Sequence, residues 1–129
     1  MTADDPSRRT SRRYRPDPID RESHARSAIA LFNRGDFWEA HEQLEYIWRS
    51  IPGEDEALII QGLIQAAAAL LHRERGNRHG LQVVGQAAMD KLARADLSTT
   101  EFDIAVFSRE FEHALASDGP PPTLKLRIA

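Results

Sequence analysis

The sequence contains no cysteine. That excludes disulfides and thiolate metal sites and is compatible with a reducing cytoplasm. It has no unbroken apolar run of membrane length. The longest candidate, Ala57–Leu71, is interrupted by Gln61 and Gln65 and falls short of the roughly 18 residues that a span needs. No apolar stretch follows the N-terminal arginines, as a secretory signal would require. No glycine-rich phosphate loop is present, since GNRHG fits none of the known patterns. No serine, threonine or lysine stands within the apolar stripes as a nucleophile. The net charge of −3 gives no general argument for nucleic-acid binding.

What the sequence does contain is one domain's worth of chain. It has 129 residues, 41% hydrophobic and 29% charged, enough to close a core without metal or disulfide support. Charge is unevenly placed. Met1–Asp17 holds five arginines against three aspartates, a net +2, which leaves −5 on the remainder. This segment reads as a flexible arginine-rich arm over residues 1–17, able at most to make weak nucleic-acid contacts through Arg8–Arg15. A single helical domain is expected over 18–118, and a proline-rich tail over 119–129.

Five helical segments are legible and no strand is. The first is expected from Pro18 to Arg34, capped by Asp17, with Ala25, Ala28, Ile29 and Phe32 at helical spacing and Gly35 as the stop. The second runs from Phe37 to Ser50, with Asp36 and Glu39 as a variant capping box. Pro52 and Gly53 break the chain before a third helix over 54–75. The fourth covers Arg78–Ala95. The fifth covers Thr99–Ser117, with Ser98 and Glu101 as a capping box. GPPP then ends all helix, and TLKLRIA is either a frayed tail or a short extended piece. The third helix is apolar nearly all round, through Leu58, Ile59, Ile60, Leu63, Ile64, Ala66, Leu70 and Leu71. A helix of that kind is buried on every side. The expected fold is therefore all-α: a compact bundle of about five helices, with the apolar third helix in the centre.

Two polar stripes interrupt the apolar faces. On the second helix Phe37, His41, Leu44, Glu45 and Trp48 fall together, with Glu42 at the flank. On the third, Glu54, Leu58, Gln61, Gln65, Ala69 and His72 share a line. If the two helices pack antiparallel, His41 comes toward Gln65 or His72. Burying such groups unpaired costs roughly 1–3 kcal/mol each, so they must satisfy one another or meet water or a ligand. His41 and Glu45 are the candidate acid–base pair, because a histidine beside a carboxylate in a dry pocket is an activated base. Phe37, Glu42, Trp48, Gln61, Gln65 and His72 are the candidate pocket lining. HEQLE begins like the zinc-protease motif, but Glu45 replaces the second histidine. A set of His41, Glu45 and His72 could chemically hold zinc, yet glutamines rather than strong donors face the pair, so no resident metal is expected.

LFNRGDFWEAHEQLEYIWR followed by QGLIQAAAALLHRERGNRHG resembles the prokaryotic family known as domain of unknown function 309, over about Ala28–Ala95. The shared pattern is an HExLE stretch ending in tryptophan, then QGLIQ: His41, Glu42, Leu44, Glu45, Trp48, Gln61, Gly62, Leu63, Ile64 and Gln65. The resemblance implies a compact helical bundle and no assigned activity. ALFNRGDFWEAHEQLE also looks like one hairpin of a tetratricopeptide repeat, but no second copy appears in Glu54–Ser117, and such arrays need about three units. Two functions stay open. One is a small-ligand or acid–base catalytic pocket on the His/Glu/Gln cluster. The other is a non-catalytic binding or scaffold protein in which the cluster only fixes helix register. Ligand and cofactor are unknown from the sequence, and so is whether the chain homo-oligomerises. The expected location is the cytoplasm, with no membrane partner.

Overall fold

The computed structural model describes residues 20–128. The arginine-rich arm, and with it Asp17 and Pro18, lies outside them. Five α-helices follow one another: α1 Arg21–Arg34, α2 Phe37–Arg49, α3 Glu54–Glu74, α4 Arg78–Arg94 and α5 Ile104–Ser117, with one 3-10 turn at Leu97–Thr99. Among the described residues there is no strand, only an isolated antiparallel bridge between Phe102 and Leu126. The all-α expectation holds.

Two helix starts and one cap differ from those expected. The α1 helix begins at Arg21, because the Asp20 carboxylate already accepts the Ser23 N–H at 3.0 Å and so supplies the cap. At α2 Asp36 makes no capping bond; its carboxylate is drawn to Arg34 Nε at 2.7 Å. The Ser98–Glu101 box does not form. Ser98 is held by Asp96 within the 3-10 turn, and α5 starts five residues later than expected, capped by Asp103 onto the Val106 N–H. The stop at Gly35 is as expected. Its φ of +91° suits glycine, and the Asp36 N–H returns to the Leu31 carbonyl across the turn.

The α3 helix occupies the middle, packed between α2 and α4, while α1 lies on α2 and α5 on α4. Ile59, Ile60, Leu63, Ala66, Ala67, Ala69 and Leu70 are all buried along it. Gly62 lets α4 come close: a Cβ there would sit 2.8 Å from Leu92 Cδ2. Four phenylalanines join the remaining helices. Phe32 of α1 meets Phe37 of α2 edge-on, and Phe107 of α5 from the other side, with Phe111 stacked behind.

The C-terminal segment is extended and bound, which decides between the two alternatives left by the sequence. Pro122 and Leu124 are buried. The Asn33 amide makes two 2.8 Å hydrogen bonds to the Leu124 backbone. Asp103 N–H donates to Lys125 O, and Arg127 N–H donates to Glu101 O. At the opposite end of the fold's order, Arg21 bonds both Glu101 and Glu56, tying the head of α1 to the head of α3 and to the loop before α5.

Candidate functional site

The inner face of α2 is Phe37, Ala40, Leu44 and Ile47. Hydrocarbon takes the deepest arc, because a charged group costs more to bury than an apolar one. The candidate pair is therefore rotated to the flank. His41 and Glu45 are half-buried, with side chains 23% and 30% exposed. At 100° per residue, His41, Glu45 and Arg49 form one row, and Trp38, Glu42 and Tyr46 form the next row outward. These six residues line a shallow groove on the outer side of α2.

The inner row is a chain of polar contacts. His41 Nε2 lies 3.1 Å from Glu45 Oε1, and Arg49 Nη2 lies 3.3 Å from Glu45 Oε2. Both are contacts between residues four apart on one helix, a spacing that brings side chains together. The Trp38 indole stacks on the His41 ring, centroids 5.2 Å apart and planes 14° apart. At the other end, Tyr46 stacks on His24 of α1 at 5.0 Å. The His24 Nδ1–H donates to Gln43 Oε1 at 2.7 Å, which fixes that tautomer, since the amide oxygen can only accept.

The second nitrogen of His41 faces inward. Nδ1 is buried without a protein partner, and so is Gln65 Oε1 on α3. The short turn after α2 makes α2 and α3 antiparallel. Counting outward from it puts positions 41 and 65 within about one helical turn of each other along the axis. With Nε2 carrying its proton toward Glu45, the Nδ1 of a neutral imidazole accepts, as the amide oxygen does, so the two atoms bond directly only when the ring is doubly protonated.

The structure gathers some of the expected residues and separates others. His41, Glu42 and Glu45 share the groove. Phe37, 3% exposed, belongs to the core instead. Trp48 packs against that core, half-buried. Gln61 and Gln65 are half-buried on α3 and do not line the groove. His72 is turned into the α3–α4 connection, where the Asn77 amide reaches its Nδ1 at 3.0 Å and the ring lies against Gly80. The His41, Glu45, His72 set therefore does not assemble, and among the described residues no three His, Asp or Glu side chains gather as metal ligands. Trp38, Arg49 and His24 are not among the residues singled out in the sequence, and Tyr46, placed by helical phase on the wetter side of the helix, is exposed there. The three-and-four spacing that links His41 to Glu45 also reaches Trp38 and Arg49.

Residues 25–84 match the family described as Domain of unknown function (DUF309), so the resemblance carried by HEQLEYIW and QGLIQ holds. An uncharacterized protein of Aquifex aeolicus (strain VF5) is 34% identical over 106 residues, covering 80% of this chain and 32% of that protein. The chain thus spans about a third of the length of this curated relative. No solved structure matches the chain.

Proposed function

We propose that this chain, whose residues 25–84 match the DUF309 family, binds a small organic cation on the outer face of α2. One observation carries the reading: two large aromatic side chains, Trp38 at 53% and Tyr46 at 51% exposure, flank a groove that also holds two carboxylates. Arg49 and His41 engage Glu45. Glu42 has no partner among the described residues. An unbalanced negative charge beside aromatic faces attracts a cation, through Coulomb attraction and the ring quadrupoles together. In this reading His41 orients Glu45 and supports Trp38. It does not carry a proton to the ligand, because Nε2 is engaged and Nδ1 faces the interior.

The test is an NMR titration of the full chain with tetramethylammonium chloride, with sodium chloride and sodium acetate as references. The expected result is a millimolar-range shift of the Trp38 indole and Tyr46 ring signals with the organic cation alone, weakened several-fold in Trp38→Ala and in Glu42→Gln. Equal shifts with sodium chloride, or none, would remove the reading.

A second reading is favoured by the 3.1 Å His41–Glu45 contact. In it the cluster is a hydrogen-bond network that sets the register of α2 on α3, and the protein is a non-catalytic scaffold. Among the described residues no helix is long and apolar enough to cross a membrane. A cytoplasmic location is part of this reading, and the absence of cysteine is compatible with it.

A further inference from the structure

The extended C-terminal segment uses one backbone edge and leaves the other open. Asp103 N–H donates to Lys125 O, and Arg127 N–H donates to Glu101 O, both at 2.8 Å. Phe102 and Leu126 are therefore the non-hydrogen-bonded pair of an antiparallel ladder, whose bonds come from the flanking residues. The N–H and C=O of Leu126 point to the opposite edge. In an extended chain those of Leu124 and Ile128, two residues to either side, point the same way. At Leu124 that edge is already taken: the Asn33 side-chain amide both accepts from Leu124 N–H and donates to Leu124 O at 2.8 Å, as a neighbouring strand would. Leu126 and Ile128 have no such partner among the described residues. Their side chains are 39% and 96% exposed. Lys125 and Arg127 alternate with them and form no ion pair among the described residues.

Charge selects the occupant. A second copy pairing symmetrically through Leu126 would set Lys125 opposite the other copy's Arg127, twice, and like charges directly opposite oppose pairing. Cationic side chains on an open edge are a common defence against self-association. The same two charges favour a strand that brings carboxylates opposite them and apolar side chains opposite Leu126 and Ile128. We propose that Lys125–Ile128 is a strand-addition edge for an extended segment of a partner protein in which acidic and apolar residues alternate. This site is separate from the α2 groove and does not depend on the reading given to it.

The probe is an end-capped hexapeptide alternating glutamate and valine, with a lysine–valine peptide as its counterpart, titrated into the full chain and followed by amide NMR. The expected result is shifts and slowed hydrogen exchange centred on the Leu126 and Ile128 amides with the acidic peptide, and binding of the basic peptide at least tenfold weaker. Of the backbone groups Leu126→Pro removes only the outward N–H, which the fold does not use, and it also takes away the Leu126 contact with the peptide; proline is tolerated at an edge position of this kind. It should weaken the acidic peptide at least tenfold with the melting temperature held. If that variant unfolds, the exposed pair Lys125→Glu with Arg127→Glu serves instead, and should reverse the preference from acidic to basic peptide. The proposal is overturned by no change at these two amides at millimolar peptide, by equal binding of both peptides, by undiminished binding to a folded Leu126→Pro variant, or by sedimentation showing a dimer closed through this edge.

Discussion

Arg21 grips Glu101 across eighty residues of sequence with two nitrogens, Nη2 at 2.7 Å from one carboxylate oxygen and Nε at 3.0 Å from the other. Two parallel bonds give this pair a fixed geometry that a single contact would not have. Burial works against both charges. The hydrogen bonds outweigh it, holding the Arg21 guanidinium above its ordinary pKa and the Glu101 carboxyl below its own.

Glu101→Gln should therefore lower stability by about 1 kcal/mol at neutral pH, a modest figure because the pair is only half-buried. The pH dependence has a definite sign. A carboxyl with a lowered folded pKa adds stability that is complete above its unfolded pKa and is lost as pH falls through the folded value. Urea denaturation between about pH 6 and pH 3 should show a shallower acid loss in the variant than in the wild type. Parallel curves would mean that the pair contributes nothing to acid sensitivity.

Gly62→Ala tests the close approach of α3 and α4. The new methyl meets Leu92 and the Ala88 carbonyl, and overpacking of this kind costs typically about 1–3 kcal/mol. In an open helix the same change would stabilise by about 1 kcal/mol. The sign of the shift in denaturation midpoint decides between close packing and slack at this crossing.

His41→Ala and Leu63→Ala separate groove from core. Leu63 is fully buried, and its truncation should cost about 2–5 kcal/mol. His41 is partly exposed and Glu45 keeps Arg49, so loss of the imidazole should cost under about 1 kcal/mol. A loss from His41→Ala as large as that from Leu63→Ala, recovered in the double replacement His41→Leu with Glu45→Met, would move the weight to the scaffold reading.

Leu124→Ala measures how firmly the C-terminal segment is held. The side chain is fully buried, and its loss should cost about 2–4 kcal/mol. Amide exchange should quicken at Asp103 and Arg127, whose N–H groups bond across this segment. A change within about 0.5 kcal/mol would show the segment to be detached in solution.

The helices were legible because each carries its own spacing and stop signals. The α3 helix announced its central place by being apolar nearly all round, with a single polar line. The start of α5 was not legible. Ser98 and Glu101 satisfy a local capping pattern, but Glu101 answers to Arg21 and Ser98 to Asp96, and only Asp96 is near in sequence. The groove was half legible. His41 and Glu45 stand out as polar groups near an apolar stripe, whereas Trp38 and Tyr46 differ from buried aromatics only in which side of α2 they occupy. His72 could not be placed by helical phase alone, because a neighbouring turn residue, Asn77, holds its ring.

The Asn33–Leu124 contact spans 91 residues, and it bears on the order in which the protein assembles. The α1–α2, α2–α3 and α3–α4 pairs are adjacent in sequence and close through short loops at little entropic cost. Joining α1 to the final segment needs nearly the whole intervening chain to be in place. The hairpins are then the early, fast steps, and this seam is the last to shut and the first to reopen. A molecule caught with the seam open would still hold α2 and its groove against α3, while the strip at Leu124–Ile128 swung free of Glu101 and Asp103.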